Sequence, residues 1–215
     1  MIARVVALHS YPVKGCAGTT LTSAFLAPAG LAHDRTFMVV DEEGGFRSQR
    51  RDPLLATIRP AISGEGRELE LHAPGVDAVR VAVDIDGPRR PVEMFGNPYR
   101  GIDQGDAVAG WLSEVLGRPS RLVRVPPEHD RVTAGETPGR AGFADSGALL
   151  LVSRASWAEL DRRIAERGAD GVPVDRFRPN VVVDGWAEPH VEDQVREMSI
   201  GDATWRSPSR RSGAR

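Results

Sequence analysis

Cysteine and lysine each occur once among the 215 residues, as Cys16 and Lys14. A single cysteine excludes an internal disulfide framework and any multi-cysteine zinc or iron–sulfur site. No apolar run approaches the roughly 18–20 residues of a membrane-spanning helix, and the N-terminus lacks the charged-then-apolar plan of a signal peptide. The formal net charge is only −2, so bulk electrostatics do not indicate a polyanion-binding protein. These absences predict a cytoplasmic protein without a membrane segment.

Several common active-site patterns are also missing. The five histidines are scattered, so no histidine metal site is expected. The sequence has no Walker loop and no Gly-x-Ser-x-Gly elbow, and Gly64–Gly66 is typical of a hairpin turn rather than a dinucleotide fingerprint. Basic residues do not alternate with aromatic ones, so nucleic-acid binding is not predicted.

Most of the chain shows the pattern of short strands, which predicts a mostly β fold (α+β) of the barrel or sandwich type. Strands are expected within residues 2–8, 34–41, 55–62, 67–72, 78–84, 149–152 and 181–183. The stretch from Pro126 to Asp145 has no periodicity, and a loop of this length is either functional or mobile.

Two packing helices interrupt the strands. Asp103 is predicted to cap the first, whose apolar face ends before Gly117. The second is predicted to begin with a capping box at Ser156 and to continue to Gly168. The apolar faces of the two helices contain Val108, Trp111, Leu112, Val115 and Leu116 in the first, and Trp157, Leu160 and Ile164 in the second.

The remaining chemistry is that of an anion site. Lys14 lies in a glycine-rich turn, and its ammonium is a compact point charge in a chain whose other basic side chains are all arginine. Arginines also stand near predicted strand ends, at Arg35, Arg176 and Arg178, and Ser153 follows another strand. Together these groups suit a phosphorylated ligand. Two alternatives are that the arginines only pair with neighbouring aspartates, and that the single lysine is a product of codon bias.

Ordered motifs along nearly the whole chain resemble a known family. The first motifs are 11–16, 30–31, 34–41, 44–50 and 53–56, and these resemble the N-terminal β-barrel domain that precedes MOSC domains. The later ones are 143–145, 151–153, 156–160, 176–180, 192–193 and 200–202, and these resemble the MOSC domain itself. The likeness is to the amidoxime-reducing branch. It implies an N-terminal β-barrel domain over residues 1–118 and an incomplete MOSC β-barrel with packing helices over residues 119–215.

The resemblance implies a protein that binds the molybdenum cofactor (Mo-molybdopterin) and reduces small N-oxygenated substrates. Electrons would come from a separate donor protein of the reductase, ferredoxin or cytochrome type. Carried over to this sequence, the residues that hold the pterin and its phosphate are Lys14, Gly15, Arg35, Arg178 and Asn180, with Ser153 and Arg176 as further candidates. No catalytic residue is assigned.

The chain departs from the family pattern at its end. The family's molybdenum-ligating cysteine is absent, and Ala214 falls near its place, in a tail whose composition is that of a disordered segment. We therefore expect a C-terminal part that is missing or frameshifted. Cys16 is predicted to be a buried filler rather than a substitute ligand. Two further functions stay open: a non-catalytic cofactor-binding remnant, and a pyridoxal phosphate or sulfur-carrier protein in which Lys14 forms a Schiff base.

Overall fold

A computed structural model describes residues 2–133 and 139–206. Within these ranges the chain forms 16 strands and two α-helices, which confirms the mostly β fold class. No helix in the described ranges has the length and apolar character to cross a membrane. The strands are β1 (Arg4–Ser10), β2 (Val13–Lys14), β3 (Thr19–Leu21), β4 (Leu26–Ala27), β5 (Gly30–Leu31), β6 (Phe37–Val40), β7 (Arg59–Ser63), β8 (Glu68–Ala73), β9 (Val76–Ala82), β10 (Arg89–Met94), β11 (Asn97–Asp103), β12 (Arg121–Arg124), β13 (Leu151–Ser153), β14 (Val181–Asp184), β15 (Glu197–Ile200) and β16 (Ala203–Arg206).

The strands assemble into three larger sheets and two hairpins. The orders are β10-β11-β12-β6-β2, β13-β14-β1-β3 and β7-β8-β9, with β4–β5 and β15–β16 as separate pairs. Strand β1 pairs antiparallel with β14, so the N-terminal part (residues 2–124) and the C-terminal part (residues 151–206) share a sheet. Strand β12 also lies between β11 and β6. The predicted boundary between residues 118 and 119 stays a prediction.

Strand β6 is buried on both faces and lies between two parts of the core. Phe37 and Val39 belong to one hydrophobic cluster, and Met38 and Val40 belong to another. A strand covered on both sides needs a continuous apolar run, which explains the sequence Phe-Met-Val-Val. Because β2 pairs in parallel with β6, with Lys14 opposite Met38, this rigid strand fixes the backbone of the single lysine.

The first helix, α1 (Asp106–Leu116), confirms the predicted apolar face. Val108 and Leu112 are fully buried, and Gly117 ends the helix in the left-handed conformation. The predicted cap was wrong. Gly105, with φ +94°, holds the N-cap position, and the Asp103 carboxylate instead accepts a bond from the Gly105 N–H and pairs with two arginines.

The second helix, α2 (Arg154–Ala165), begins earlier than predicted. Ser153 is its N-cap, with a side chain that accepts a bond from the Ser156 N–H, so the predicted capping box at Ser156 was wrong. No residue of α2 is buried, and Leu160 is exposed. The predicted packing face is therefore only partly covered.

Three other local predictions also need correction. The strand expected over residues 55–62 starts as a 3-10 turn (Pro53–Thr57), because Pro53 favours a helical start and Leu55 turns into the core, and β7 follows it. The hairpin of β10 and β11 was not predicted. The tail predicted to be disordered starts at Ala203, and this was wrong for residues 203–206, which form β16 and pair with β15. The rest of that tail, which includes Ala214, lies outside the described residues.

Candidate anion-binding site

A cavity of about 1520 Å³ collects most of the residues predicted for the site. Its lining draws on both the N-terminal and the C-terminal part of the chain, and it includes five of the seven predicted residues: Lys14, Gly15, Arg35, Arg178 and Asn180. These residues lie up to 166 positions apart in the sequence (180 − 14), and the shared sheet of β1 and β14 helps to bring them together.

The Lys14 ammonium stands in this cavity with few polar partners. Only 8% of the residue is exposed. Its Nζ donates to the Phe143 carbonyl at 2.9 Å and pairs with the Asp145 carboxylate. The rings of Phe46 and Phe95 have centroids 5.7 and 5.0 Å from Nζ. Burial lowers the pKa of Lys14, and the Asp145 partner opposes part of that shift.

The partner carboxylate comes from the long loop that follows β12. Arg131 donates to the carbonyls of Gly142, Ala144 and Asp145 at 2.9, 2.6 and 2.9 Å, so its guanidinium holds the loop in place. The Asp145 side chain is nevertheless 72% exposed. The predicted functional or mobile loop thus supplies a direct contact to Lys14, while its residues 134–138 lie outside the described ranges. Asp145 was not predicted as a site residue.

Two guanidinium groups flank the ring of Tyr11. The Cζ atoms of Arg35 and Arg178 lie 4.6 and 4.2 Å from its centroid, within the range of cation–π attraction. Tyr11 is buried, and a side chain at Gly18 would come within 2.5 Å of its ring. Burial and the neighbouring Arg35 lower the pKa of Arg178. Tyr11 stood in the first motif, but its role was not predicted.

Hydrogen bonds fix Arg35 between the two parts of the chain. Its Nη1 pairs with the Asp34 carboxylate and donates to Asn180 Oδ1 at 3.0 Å, and its Nη2 donates to the Arg178 carbonyl at 3.1 Å. Asp34 also accepts the Tyr11 backbone N–H at 2.7 Å. The predicted pairing of Arg35 with Asp34 is therefore present, and it does not use all of the guanidinium.

Unfavourable backbone conformations concentrate in this cavity. Among the described residues, six non-glycine positions have positive φ, and three of them, Arg35 (+45°), Phe95 (+55°) and Arg178 (+57°), line it. Such conformations are costly for long or bulky side chains and cluster at functional sites. Gly15 is also at positive φ (+83°), and its carbonyl accepts a bond from Gln49. A residue with a side chain would be strained here, and its Cβ would lie 3.2 Å from the Leu55 side chain.

Ser153 and Arg176 are the two predicted residues that do not line the cavity. The Ser153 hydroxyl caps α2 and donates to Glu192, and the Ser153 N–H donates to the same carboxylate at 3.0 Å. Arg176 is exposed in a 3-10 turn (Val174–Phe177). The contacts of Ser153 hold α2 and the Glu192 carboxylate in place. The predicted cofactor roles of Ser153 and Arg176 stay predictions.

Cys16 is a filler of the hydrophobic core, as predicted. The residue has no exposed surface and packs among core side chains. Burial raises the pKa of its thiol to about 12, despite the nearby Arg178 guanidinium. The thiol is therefore protonated at neutral pH, and Cys16 does not line the cavity. Among the described residues, no three histidine, cysteine or acidic side chains gather into a metal-binding group.

The fold and the cavity define a mostly β protein with a basic site shared between two parts of the chain. Residues 2–119, more than half of the sequence, match the family described as MOSC N-terminal beta barrel domain, and residues 138–212 match the MOSC domain. The chain therefore belongs to the MOSC proteins that carry this N-terminal domain.

The relatives of this chain include molybdenum cofactor sulfurases and mitochondrial amidoxime-reducing components. A molybdenum cofactor sulfurase of Danio rerio is 34% identical over 91% of this chain, which corresponds to 26% of the relative. Mitochondrial amidoxime reducing component 2 of Rattus norvegicus is 30% identical over 89% of the chain and 59% of the relative. Mitochondrial amidoxime-reducing component 1 of Homo sapiens is 27% identical over 94% of this chain, which corresponds to 61% of the relative. The chain spans about a quarter of the sulfurase and about three fifths of the reducing components.

Proposed function

We propose that the cavity binds the anionic, phosphate-bearing part of the molybdenum cofactor. The observation that carries this proposal is the convergence of three cations, Lys14, Arg35 and Arg178, on one cavity. Among the described residues, its lining contains seven basic side chains and five carboxylates, so two positive charges are in excess, in a partly buried place where charge interactions are stronger than in water. An anion would balance this excess.

The available donors fit such a ligand. Arg178 uses Nη1 for the Cys16 carbonyl at 2.5 Å, and among the described residues its Nε and Nη2 have no hydrogen-bond partner. Charge-assisted N–H donors of this kind form the strongest contacts to phosphate. Pockets for drug-sized ligands measure about 300–1,000 Å³. The volume of about 1520 Å³ therefore has room for a cofactor and a small substrate.

Within this proposal, Lys14, Arg35 and Arg178 hold the phosphate, and Asn180 orients Arg35. The bound cofactor would supply the oxygen-transfer and electron-transfer chemistry of molybdenum. The finer proposal is that the protein reduces small N-oxygenated compounds with electrons from a separate donor protein. The relatives named as amidoxime-reducing components support the reduction, and the separate electron donor is a further part of the proposal.

Metal content and reduction of an N-hydroxylamine test this finer proposal together. Protein purified from cells that make ample molybdenum cofactor should contain close to one molybdenum per chain and should reduce the substrate with an artificial electron donor. Metal-free protein from the same cells would contradict it.

A second candidate is a protein that binds the cofactor without turning over. The position of Cys16 favours this alternative, because it is the single cysteine of the sequence and its buried side chain does not line the cavity. Retained pterin without stoichiometric molybdenum would support it. Retained pterin with stoichiometric metal and turnover would contradict it.

The lowered pKa of Lys14 supports a third candidate, a pyridoxal phosphate protein with Lys14 as the Schiff-base amine. Added pyridoxal phosphate should then produce an internal-aldimine absorbance band that Lys14→Arg abolishes. No such band in the wild-type protein would rule it out.

A further inference from the structure

The hairpin of β10 and β11 has an unusual residue at its tip. Met94 and Asn97 face each other across the ladder, so the loop consists of Phe95 and Gly96 alone. Their φ values are +55° and +75°, the signs that a type I′ turn requires. Such turns prefer Asn-Gly, because asparagine and glycine tolerate positive φ. Phenylalanine is a poor choice for the fold at this position.

Packing does not explain the choice of phenylalanine. Phe95 is 54% exposed, so its ring contributes little to the core. The ring rests edge-on against Phe46, with centroids 4.8 Å apart, and its centroid is 5.0 Å from the Lys14 Nζ. Phe46 is itself anchored, because its N–H bonds to the Glu93 carbonyl and its side chain packs against the core. A strained hairpin thus holds an exposed aromatic ring beside the cation of the cavity.

We propose that Phe95 is an aromatic platform that stacks against the planar ring of a ligand whose anionic group binds at Lys14. This inference rests on the proposed function, since it assumes that an anion occupies the cavity. The ring in question belongs either to the cofactor's pterin or to an aryl substrate. Both are planar and conjugated, and both would gain from an offset or edge-to-face contact with Phe95 and Phe46.

The strain in the turn provides a test that separates this role from a structural one. Replacing Phe95 with asparagine removes the ring and places a residue that favours positive φ in the turn. If Phe95 stabilised the fold, its replacement would lower the midpoint of thermal unfolding. If Phe95 serves binding, its replacement should instead leave the midpoint of thermal unfolding unchanged or raise it by about 2–5 °C.

The binding experiment compares phenyl phosphate with inorganic phosphate on the wild type and on Phe95→Asn. The wild type should bind phenyl phosphate about three- to tenfold more tightly than inorganic phosphate, which is the size of one aromatic contact. Phe95→Asn should lose this preference while its affinity for inorganic phosphate stays within about twofold. Phe25→Asn is the matched control, because Phe25 is exposed and does not line the cavity, and it should keep the preference.

The outcomes are distinguishable. If the wild type binds both probes equally well, this inference fails while the anion site stands. If it binds neither, both the anion site and this inference fail. A preference that persists in Phe95→Asn, or a loss of several degrees of thermal stability, would also overturn the inference. When the preference is lost, the pterin content of the purified variant identifies the ring: a lower content assigns it to the cofactor, and an unchanged content assigns it to the substrate.

Discussion

At the scale of single residues, the chemistry of the cavity depends on the protonation of the Lys14 amine. Burial disfavours its charge, whereas the Asp145 carboxylate and the Phe143 carbonyl favour it. The pKa of Lys14 therefore lies below the usual 10.5. Because the ammonium exists only below its pKa, its attraction for anions is lost as the pH rises, at a lower pH than for an exposed lysine.

We expect Lys14→Arg to change the pH dependence of anion binding. A guanidinium stays protonated throughout the accessible range, so the variant should keep its affinity for sulfate at alkaline pH where the wild type loses it. Sulfate is suitable because it does not titrate between pH 7 and 10. Dissociation constants measured across that range provide the test, and parallel profiles for the two proteins would contradict the role of Lys14.

We expect Asp145→Asn to strengthen anion binding. Its carboxylate competes with an incoming anion for the Lys14 ammonium, and a partly exposed ion pair contributes roughly 0.2–1 kcal/mol. Sulfate affinity at pH 6 should therefore rise by about two- to fivefold. The control Glu65→Gln removes an exposed surface charge paired with Arg67 and should have no effect. Weaker binding in Asp145→Asn would show that the carboxylate belongs to the site.

The site could be predicted only in part from the sequence. Lys14 was identifiable because no other lysine competes with it, and Arg35, Arg178 and Asn180 stood in ordered motifs. Asp145 meets Lys14 across 131 positions, and no local pattern records a contact between distant loops. The stacking of two arginines on Tyr11 is equally a product of tertiary packing.

At the scale of elements, Ser153 connects α2 to the 3-10 turn that carries Glu192. Burial would raise the pKa of Glu192, but hydrogen bonds from Ser153 and Ser156 hold it below its usual value. The carboxylate is therefore charged at neutral pH and holds the start of the helix.

We expect Ser153→Ala to lower stability without affecting anion binding. It removes the N-cap of α2 and one partner of Glu192, at a cost of about 1–2 kcal/mol. Urea denaturation measures the loss, and sulfate affinity should match the wild type. Ser63→Ala is the control, since among the described residues that exposed hydroxyl bonds to the Glu68 side chain alone. Loss of sulfate binding with unchanged stability would restore the predicted cofactor role of Ser153.

Element types followed from sequence patterns more readily than element ends did. The apolar face of α1 was predicted because Val108 and Leu112 recur at helical spacing and are buried. Its cap was mispredicted because the Asp103 side chain forms ion pairs with Arg90 and Arg121 on neighbouring strands. The β10–β11 hairpin was missed because Phe-Gly is not a recognised turn signal, which is the same anomaly that singles out Phe95.

At the scale of the whole molecule, the cavity depends on the joining of the N-terminal and C-terminal parts. Strands β1 and β14 share a sheet, Arg35 bonds to Asn180, and Arg178 bonds to the Cys16 carbonyl. The unfolded chain cannot assemble these groups, so a ligand that binds here binds only the folded state.

We therefore expect phosphate to stabilise the whole protein. At one hundred times its dissociation constant, a ligand adds about 2.7 kcal/mol, or about 5–10 °C in the unfolding midpoint for a chain of this size. The double variant Lys14→Met/Arg178→Met should show no such shift. Sodium chloride at equal ionic strength controls for screening. Equal shifts in both proteins would mean that phosphate acts elsewhere.

The most direct test of the central claim is the pterin content of protein purified from cells that make the molybdenum cofactor. The wild type should retain close to one pterin per chain, and Lys14→Met and Arg178→Met should retain little while remaining folded by circular dichroism. Folded wild-type protein without pterin, or equal pterin in the wild type and both variants, would contradict the assignment of this cavity as the cofactor site.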